Sequence, residues 1–231
     1  MSDTKLTQLM RLLQFSDGTF PVGTFSFSNG LETAAYENIV NNARTLEDFT
    51  RSQAVQAAYT DGIAALHAHR AYLKADYEAI SKADKTLILC KMNDEARQML
   101  CRMGKKLGEL AVQLFDSPLI SRWLSDINKG LVPGTFPVAQ GLAFAAAGID
   151  ERNLFCSHQY GVVNMVVSAA LRCVRVSHYD TQKILYAISD NIDSLYEEVA
   201  DMQLNEMHAF FPILDILASM HEKGKMRMFM N

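Results

Sequence analysis

The chain has 231 residues, 49% of them hydrophobic, and a formal net charge of −4 at pH 7. This length allows one large domain or two small ones, the composition excludes a disordered chain, and the negative charge argues against a nucleic-acid-binding protein, which would carry a basic excess. The four cysteines form no CxxC, no apolar run reaches membrane-spanning length, and no signal-peptide pattern opens the chain, so we expect a cytoplasmic protein without a membrane segment.

Helical periodicity extends over nearly the whole chain. In "KLTQLMRLLQF", near the N-terminus, it places Leu6, Leu9, Met10 and Leu13 on one face. No segment alternates convincingly between apolar and polar residues, and the nearest strand candidate, "TFSFS", is short and lies in a glycine-rich loop. The pattern predicts an all-α, single-domain helical bundle of roughly ten helices. Because no linker or low-complexity tract divides the chain, we predict one domain over residues 1–231.

Local signals predict where several helices begin and end. A helical pattern over "TLEDFTRSQAVQAAYTDGIAALHAHRAYLKAD" has Thr45 as its predicted N-cap, and "KTLILCKMNDEARQMLCRMGKKLGELAVQLF" is predicted as a second long helix. Further helix starts are predicted at Ser117 with Pro118, at Asp150 and at Ser177 with Asp180, and the last helix is either started or interrupted at Pro212. The predicted helix stops are Gly130, Gly148 and Gly224.

The pentapeptide "GTFPV" occurs twice, at residues 18–22 and 134–138, and each copy lies in a gap between helical patterns. Glycine permits positive φ, and proline fixes φ near the helical value without wasting a backbone N–H at a helix start. Pro137 is therefore predicted in the first turn of a helix, whereas the first copy is followed by a helix capped by Asn29 with Glu32. We interpret the repeat as a helix-entry turn used twice rather than as a duplicated helical unit.

No residue pattern points to catalysis, a cofactor or a tight metal site. His67 and His69 are two apart on a predicted helix, so they face different sides and cannot share one metal ion. Ser26 and Ser28 lack a GxSxG context, and a turn explains them better than a nucleophile does. The C-terminal "MRMFMN" offers thioethers to Cu(I), but an apolar tail that binds a partner's groove explains it better.

The stretch "PVGTFSFSNGLE" resembles the PVGxxSxSxGLE motif of the UreF family of urease accessory proteins. The matching residues are Pro21, Val22, Gly23, Ser26, Ser28, Gly30, Leu31 and Glu32. Because the motif is long and unusual in composition, the resemblance is specific.

Further stretches resemble the same family in the same order, so the resemblance covers nearly the whole chain. They contain Glu95, Arg97 and Gly104; Pro137, Val138, Ala139, Gly141 and Gly148; Ala169, Ala170, Arg172 and Gln182; and, in the closing segment, His221, Arg227 and Phe229. The chain departs from the family pattern where Arg175, Ser177 and His178 replace Pro, Gly and Gln, and where Met228 replaces Leu. These departures concern the helix turn near Ser177 and its contact with a partner.

The resemblance implies an all-α homodimer without catalytic activity or a cofactor of its own. It implies action with UreD, also called UreH, and with UreG, a nickel-binding GTPase, on the urease apoprotein, whose active site contains nickel. In this expectation the chain bridges UreD and UreG and controls when UreG hydrolyses GTP.

The candidate partner-binding residues are matched motif positions. They are Pro21, Gly23, Ser26, Ser28, Gly30, Glu32, Arg97, Pro137, Gly141, Arg172, Gln182, Arg227 and Phe229. Arginine suits an interface because its planar group binds carboxylates through two bonds and stacks on rings. Small residues beside Arg172 favour an interface role for it, whereas for Arg97 an interface anchor and a buried structural pair are both open.

Residues 225–231 are predicted to form a flexible tail that becomes ordered on binding UreD. The reason is that this segment contains Phe229 and three methionines, and a tail that stays in solvent has no need of so many large apolar side chains. Two other functions stay open. One is a helical enzyme that uses separated residues such as Glu95, His178 and Asp180, and the other is a nickel carrier that uses histidines and the methionine tail.

Overall fold

The computed structural model describes residues 5–23, 27–209, 211–221 and 228–229. Within these ranges the chain is helical without a β-strand, so the predicted all-α, single-domain bundle is confirmed. The α-helices in chain order are α1 (Lys5–Ser16), α2 (Leu31–Tyr36), α3 (Ala43–Ala57), α4 (Ile63–Leu73), α5 (Tyr77–Leu89), α6 (Asp94–Leu114), α7 (Pro118–Asn128), α8 (Phe136–Ala146), α9 (Glu151–Cys173), α10 (His178–Ser189), α11 (Ile192–Val199) and α12 (Pro212–His221). A π-helical turn (Ala58–Gly62) joins α3 to α4, and a 3₁₀ turn (Leu204–Glu206) lies between α11 and α12.

Several predicted helix ends are confirmed by side-chain hydrogen bonds and backbone angles. Ser117, Asp150 and Ser177 each accept a backbone N–H from the first turn of α7, α9 and α10, respectively. Gly130 and Gly148 adopt φ of 72° and 73° just after α7 and α8. These helix ends are therefore specified by residues within about one turn of the boundary.

Two predicted N-caps are wrong. The cap of α3 is Asn42, whose side chain accepts the N–H groups of Arg44 and Thr45, while Thr45 Oγ1 accepts the N–H of Asn42. Thr45 is thus the reciprocal partner in a capping box and not the cap itself. Asn29 does not cap α2, which begins after Gly30 with φ of 80°. In both places a neighbouring residue, Asn42 for α3 and Gly30 for α2, occupies the N-cap position instead.

The predicted long helix over residues 85–115 is also wrong, because the chain leaves the helix at residues 90–93. The side chain of Asn93 accepts the N–H of Ala96 at 2.7 Å and so starts α6 as a separate helix. A capping asparagine inside an apolar period is enough to restart a helix. The predicted stop at Gly224 lies outside the described residues.

Two clusters of buried side chains form the core. The larger cluster lies between α4, α5, α6, α7 and α8 and contains the fully buried Trp123. The smaller cluster lies between α2, α3, α9 and α12 and contains Leu31 and Leu46. α9 joins the two clusters, since its Phe155 belongs to the larger and its Val166 to the smaller. It thereby ties the two halves of the bundle together.

Two glycines allow α8 and the turn before it to approach their neighbours closely. A Cβ on Gly141 in α8 would lie 2.5 Å from the carbonyl oxygen of Ala65 in α4. A Cβ on Gly104 in α6 would overlap the carbonyl oxygen of Gly134 in the second GTFPV turn. Close backbone approach therefore requires glycine at both positions.

Both GTFPV turns are held by an aspartate that binds the threonine of the repeat. Asp17 Oδ1 accepts the N–H and the hydroxyl of Thr19, each at 2.6 Å. Asp84 Oδ1, from α5, accepts the same groups of Thr135 at 2.8 and 2.7 Å, and its other oxygen accepts Trp123 Nε1–H. Burial raises the pKa of Asp84, and these hydrogen bonds oppose that rise. Only the second copy leads directly into a helix, so the helix-entry interpretation holds for that copy alone.

α9 is the one helix in the described ranges whose length and apolar composition would suffice to cross a bilayer. Inside the protein, however, 56% of its apolar window is buried, as is usual for the central helix of a bundle.

Candidate functional site

Three side chains from distant parts of the chain form a hydrogen-bonded cluster, which we call the carboxylate clasp: Glu32 on α2, Glu95 on α6 and His221 on α12. His221 Nε2 lies 2.9 Å from Glu32 Oε2, and His221 Nδ1 lies 2.9 Å from Glu95 Oε2. The His221 side chain is 3% exposed, and the two carboxylates are 13% and 15% exposed. The clasp therefore joins three helices at a site nearly shielded from solvent.

Local structure places each member of the clasp. The two glutamates lie in the first turns of α2 and α6, and His221 lies in the last turn of α12, so each charge suits the helix dipole at its end. α2 and α12 approach closely at Gly30, where a Cβ would lie 3.1 Å from the backbone nitrogen of Ala218. Gly30 is therefore needed both for its positive φ and for this close approach.

Hydrogen bonding at both ring nitrogens defines the chemistry of the clasp. An ionised carboxylate accepts hydrogen bonds and does not donate them, so both nitrogens of His221 are donors when both glutamates are ionised. The ring is then an imidazolium with two charge-assisted hydrogen bonds, which are stronger than neutral ones. In this state the clasp holds one positive side chain between two negative ones.

Glu32 also binds the backbone near the C-terminus, at Met228 and Phe229, which we call the terminal dipeptide. Glu32 Oε1 accepts the N–H of Met228 at 2.7 Å, and Oε2 accepts the N–H of Phe229 at 3.1 Å. Phe229 is 6% exposed and belongs to the smaller core cluster. The guanidinium carbon of Arg172 lies 5.3 Å from the centroid of its ring, a cation–π contact.

Two positions of the predicted tail lie in the described part of the chain. The sequence predicts that residues 225–231 are flexible and become ordered on binding UreD, and in the structure Glu32 of α2 binds Met228 and Phe229 while Phe229 packs in the core. The hydrogen bonds to the two oxygens of Glu32 and the burial of the Phe229 ring offset the conformational entropy lost when Met228 and Phe229 are ordered. Arg227 lies outside the described residues, and the mobility of the whole segment stays a prediction.

Arg97 and Arg172, the candidate arginines that the structure describes, form no buried ion pair with another described residue. Arg97 is exposed, its Nε donates to Lys91 O at 2.8 Å, and its guanidinium lies 3.5 Å from Asp94. It therefore braces the loop between α5 and α6. Arg172 is also exposed, beside Phe229, so its surface position agrees with the favoured interface role.

The remaining candidates of the first motif lie around the start of α2. Pro21 is exposed, and Gly23 has φ of 88° with open space where a Cβ would be. Ser28 is fully buried, and its Oγ accepts the N–H of Glu32 at 3.4 Å. It thus helps to place the clasp. Ser26 lies outside the described residues.

The candidates on α8 and α10 are not part of the clasp. Pro137 and Gly141 are buried in the core, where they cannot contact a partner directly in this conformation, so we withdraw them as contact residues. Gln182 is exposed on α10 and borders an apolar groove between α3, α9, α10 and α11.

The residues proposed for the alternative enzyme site make hydrogen bonds in separate places. Glu95 bonds to His221, whereas Asp180 accepts the N–H and the hydroxyl of Ser177 at the start of α10, where His178 is exposed. For the nickel-carrier alternative, no group of three or more His, Cys, Asp and Glu side chains in the described ranges is arranged to hold a metal ion.

A mainly apolar cavity of about 240 Å³ adjoins the first GTFPV turn. Its wall includes the ion pair of Asp61, on the π-helical turn, with Lys91 at 2.6 Å, and it includes His158 of α9. His158 Nδ1 lies 3.0 Å from Gln140 Oε1, while His158 Nε2 and Asp61 Oδ1 are buried without a hydrogen-bond partner in the described part of the chain. Burial lowers the pKa of His158. π-Helical turns recur at functional sites, and this one places a carboxylate in the interior.

Sequence reasoning misses the pairing of Glu95 with His221, although each lies in a segment that resembles the family. It also misses Asp61 and Lys91. The available signal for Asp61 is a single aspartate inside the apolar helical stretch "AAYTDGIAAL". A lone charge in such a stretch indicates a buried partner, but it does not say which cation supplies it.

Comparisons with known proteins agree on one family. The sequence model of UreF matches residues 40–189. Urease accessory protein UreF 2 of Brucella canis is 48% identical over 226 residues, which cover 98% of this chain and 93% of the relative. Urease accessory protein UreF 1 of Brucella melitensis is 47% identical over 226 residues (98% and 94%), and urease accessory protein UreF of Yersinia pseudotuberculosis is 41% identical over 225 residues (97% and 99%).

Proposed function

Because the chain belongs to the UreF family of urease accessory proteins, we propose that it serves urease maturation as a scaffold that bridges UreD (UreH) and the GTPase UreG. In this proposal it acts in the cytoplasm as a homodimer and assists nickel insertion into the urease apoprotein. It controls when UreG hydrolyses GTP, and it neither catalyses a reaction nor holds a cofactor itself.

The observation that carries the proposal is the convergence of separate family motifs at the carboxylate clasp. Glu32 comes from the first motif and Glu95 from the second, Arg172 precedes α10, and His221 and Phe229 come from the closing segment. Residues this far apart in sequence meet at one place only through the fold. A shared binding surface explains why these segments, rather than the core helices alone, carry the resemblance.

The chemistry around the clasp suits a protein partner. Arg172 and Met228 are exposed beside the buried Phe229, and α12 exposes Ile213 and Ile216 on the face away from the core. Arginine and methionine next to apolar side chains are enriched at protein interfaces. This surface supports the proposal of UreD or UreG as the bound protein.

Co-expression of the chain with its UreD and UreG homologues tests the scaffold. We expect one complex by size-exclusion chromatography, with two copies of this chain by light scattering. Arg172→Ala removes the exposed guanidinium beside Phe229 and is expected to weaken the complex about tenfold or more. Arg102→Ala, at an exposed arginine of α6 outside the clasp, is the matched control and should bind like the parent.

Separate elution of all three parent proteins would contradict the scaffold. Regulation of UreG is tested independently by its rate of GTP hydrolysis with and without the chain and UreD. An unchanged rate in an assembled complex would contradict regulation while leaving the scaffold intact.

A further inference from the structure

The carboxylate clasp and the docking of the terminal dipeptide depend on the same side chain. Glu32 receives three hydrogen bonds, from His221 Nε2, from Met228 N–H and from Phe229 N–H. Glu95 accepts a hydrogen bond from the other ring nitrogen of His221, Nδ1. The position of the Glu32 carboxylate, and with it the docking of the terminal dipeptide, is therefore set by His221.

We propose that His221 is a proton-operated latch: the terminal dipeptide stays docked on Glu32 while both ring nitrogens of His221 carry protons, and it is released when one of these protons leaves.

The physical reason lies in the number of donors on the ring. A neutral imidazole has one N–H and one lone pair, so it bonds to one carboxylate and turns a lone pair towards the other. Both glutamates are then left in a nearly buried site without the cation between them, and like charges in such a site repel. Movement of Glu32 towards water relieves this repulsion and breaks its bonds to the Met228 and Phe229 N–H groups. Docking is thus present at low pH and lost as pH rises.

Among the described residues, further charged and titratable groups lie on or next to the helices that carry the clasp. They include Glu37 just after α2, Asp94 and Arg97 beside Glu95 on α6, Arg172 and Cys173 on α9, and Asp215 on α12. Arginine keeps its charge at all relevant pH values. Burial, and secondly Glu32, raise the pKa of Cys173 to about 11, so this thiol stays neutral. Burial also raises the pKa of Asp215, and the variants below leave that residue unchanged.

Hydrogen exchange of the isolated chain tests the latch, with fragmentation that resolves the Met228 and Phe229 amides. After correction for intrinsic exchange, we expect their protection to fall about tenfold when the solution is changed from mildly acidic to mildly alkaline. The amide of Phe155, in the middle of α9, should keep its protection and so reports global unfolding separately.

Glu95→Gln is the decisive variant. A glutamine amide donates to the lone pair of neutral His221, whose remaining N–H still binds Glu32. We expect the terminal dipeptide to stay docked in this variant across the whole pH range. In His221→Gln we expect it to be unprotected throughout, because one amide cannot replace both donors of the ring. Glu37→Gln, at an exposed glutamate directly after α2, is the matched control and should behave like the parent.

Protection of the two amides that does not change with pH in the parent would overturn the latch, as would absence of protection at every pH. A pH dependence of Glu95→Gln equal to that of the parent would also overturn it, since another group would then be titrating. If His221→Gln fails to fold, the comparison of Glu95→Gln with Glu37→Gln still decides.

Discussion

At the scale of single residues, the described structure assigns several motif glycines and polar residues to packing. Gly104 sits where α6 touches the carbonyl of Gly134, and Gly141 sits where α8 touches α4. Inside the core, the Asp84 carboxylate accepts hydrogen bonds from the N–H groups of Gly134 and Thr135 and from the Thr135 hydroxyl, all in the second GTFPV turn. These residues therefore shape the interior of the bundle.

Substitution of Gly104 by alanine should destabilise the protein. The added methyl group overlaps a backbone oxygen, which cannot rotate away as a side chain can, so we expect a loss of about 1–3 kcal/mol or more in the free energy of unfolding. Gly161→Ala on α9 is the control, because nothing lies within 4 Å of its new Cβ. There we expect a gain of about 0.5–1 kcal/mol from helix propensity. Urea unfolding measures both, and equal stability of the two variants would contradict the packing argument.

At the scale of elements, the π-helical turn and the α5–α6 loop depend on one buried ion pair. The turn directs Asp61 inwards, and Lys91 reaches it from the loop that Arg97 braces. The side chains of the pair are 10% and 16% exposed, so each charge relies on the other. The break that separates α5 from α6 is therefore needed to bring Lys91 to the π-helical turn.

Lys91→Met should be strongly destabilising, since it leaves Asp61 charged, nearly buried and without its cation. We expect a loss of about 3–5 kcal/mol in unfolding free energy, and recovery of much of this loss in the Asp61→Asn/Lys91→Met double variant. Lys85→Met, at an exposed lysine on α5, should change stability by less than about 0.5 kcal/mol. A Lys91 variant as stable as the Lys85 variant would show that the pair contributes nothing.

At the scale of the whole molecule, a three-residue contact ties α4, α9 and α11 together. Arg70 binds both oxygens of Glu151 at 2.6 and 2.9 Å, and the hydroxyl of Tyr196 donates to Glu151 at 2.8 Å. The hydrogen bond from Arg70 is the main cause that lowers the pKa of Glu151 below its ordinary value of 4.5. This contact links α11 to the larger core cluster.

The lowered pKa of Glu151 predicts part of the acid sensitivity of the fold. A carboxyl whose pKa is lower in the folded than in the unfolded state adds stability above the unfolded-state value, and this stability is lost as pH falls through the folded-state value. Stability measured by urea unfolding should therefore fall below about pH 5, and Glu151→Gln should flatten this fall. Glu37→Gln, at an exposed glutamate directly after α2, should leave the fall unchanged. Identical acid profiles of Glu151→Gln and the parent would refute the assignment.

The sequence by itself determined the all-α class and the helix ends that depend on near neighbours. Ser117, Asp150 and Ser177 are found as predicted because a cap acts on N–H groups within one turn. Where two capping residues lie close together, as at Asn42 and Thr45, sequence patterns leave the choice open, and the break at residues 90–93 was hidden inside an apolar period. The family resemblance identified the right segments but not their contacts.

Only the tertiary structure decided which side chains meet. Glu32 and His221 are 189 residues apart, and Asp84 and Thr135 are 51 apart, so no local rule can pair them. The contacts of Phe229 could not be predicted locally either, because an apolar side chain near the C-terminus is compatible both with binding to a partner and with burial in the protein's own core. Its burial was decided by the Glu32 carboxylate on α2, which accepts the N–H groups of Met228 and Phe229, and by apolar space beside α9, and this arrangement exists only after the helices have packed.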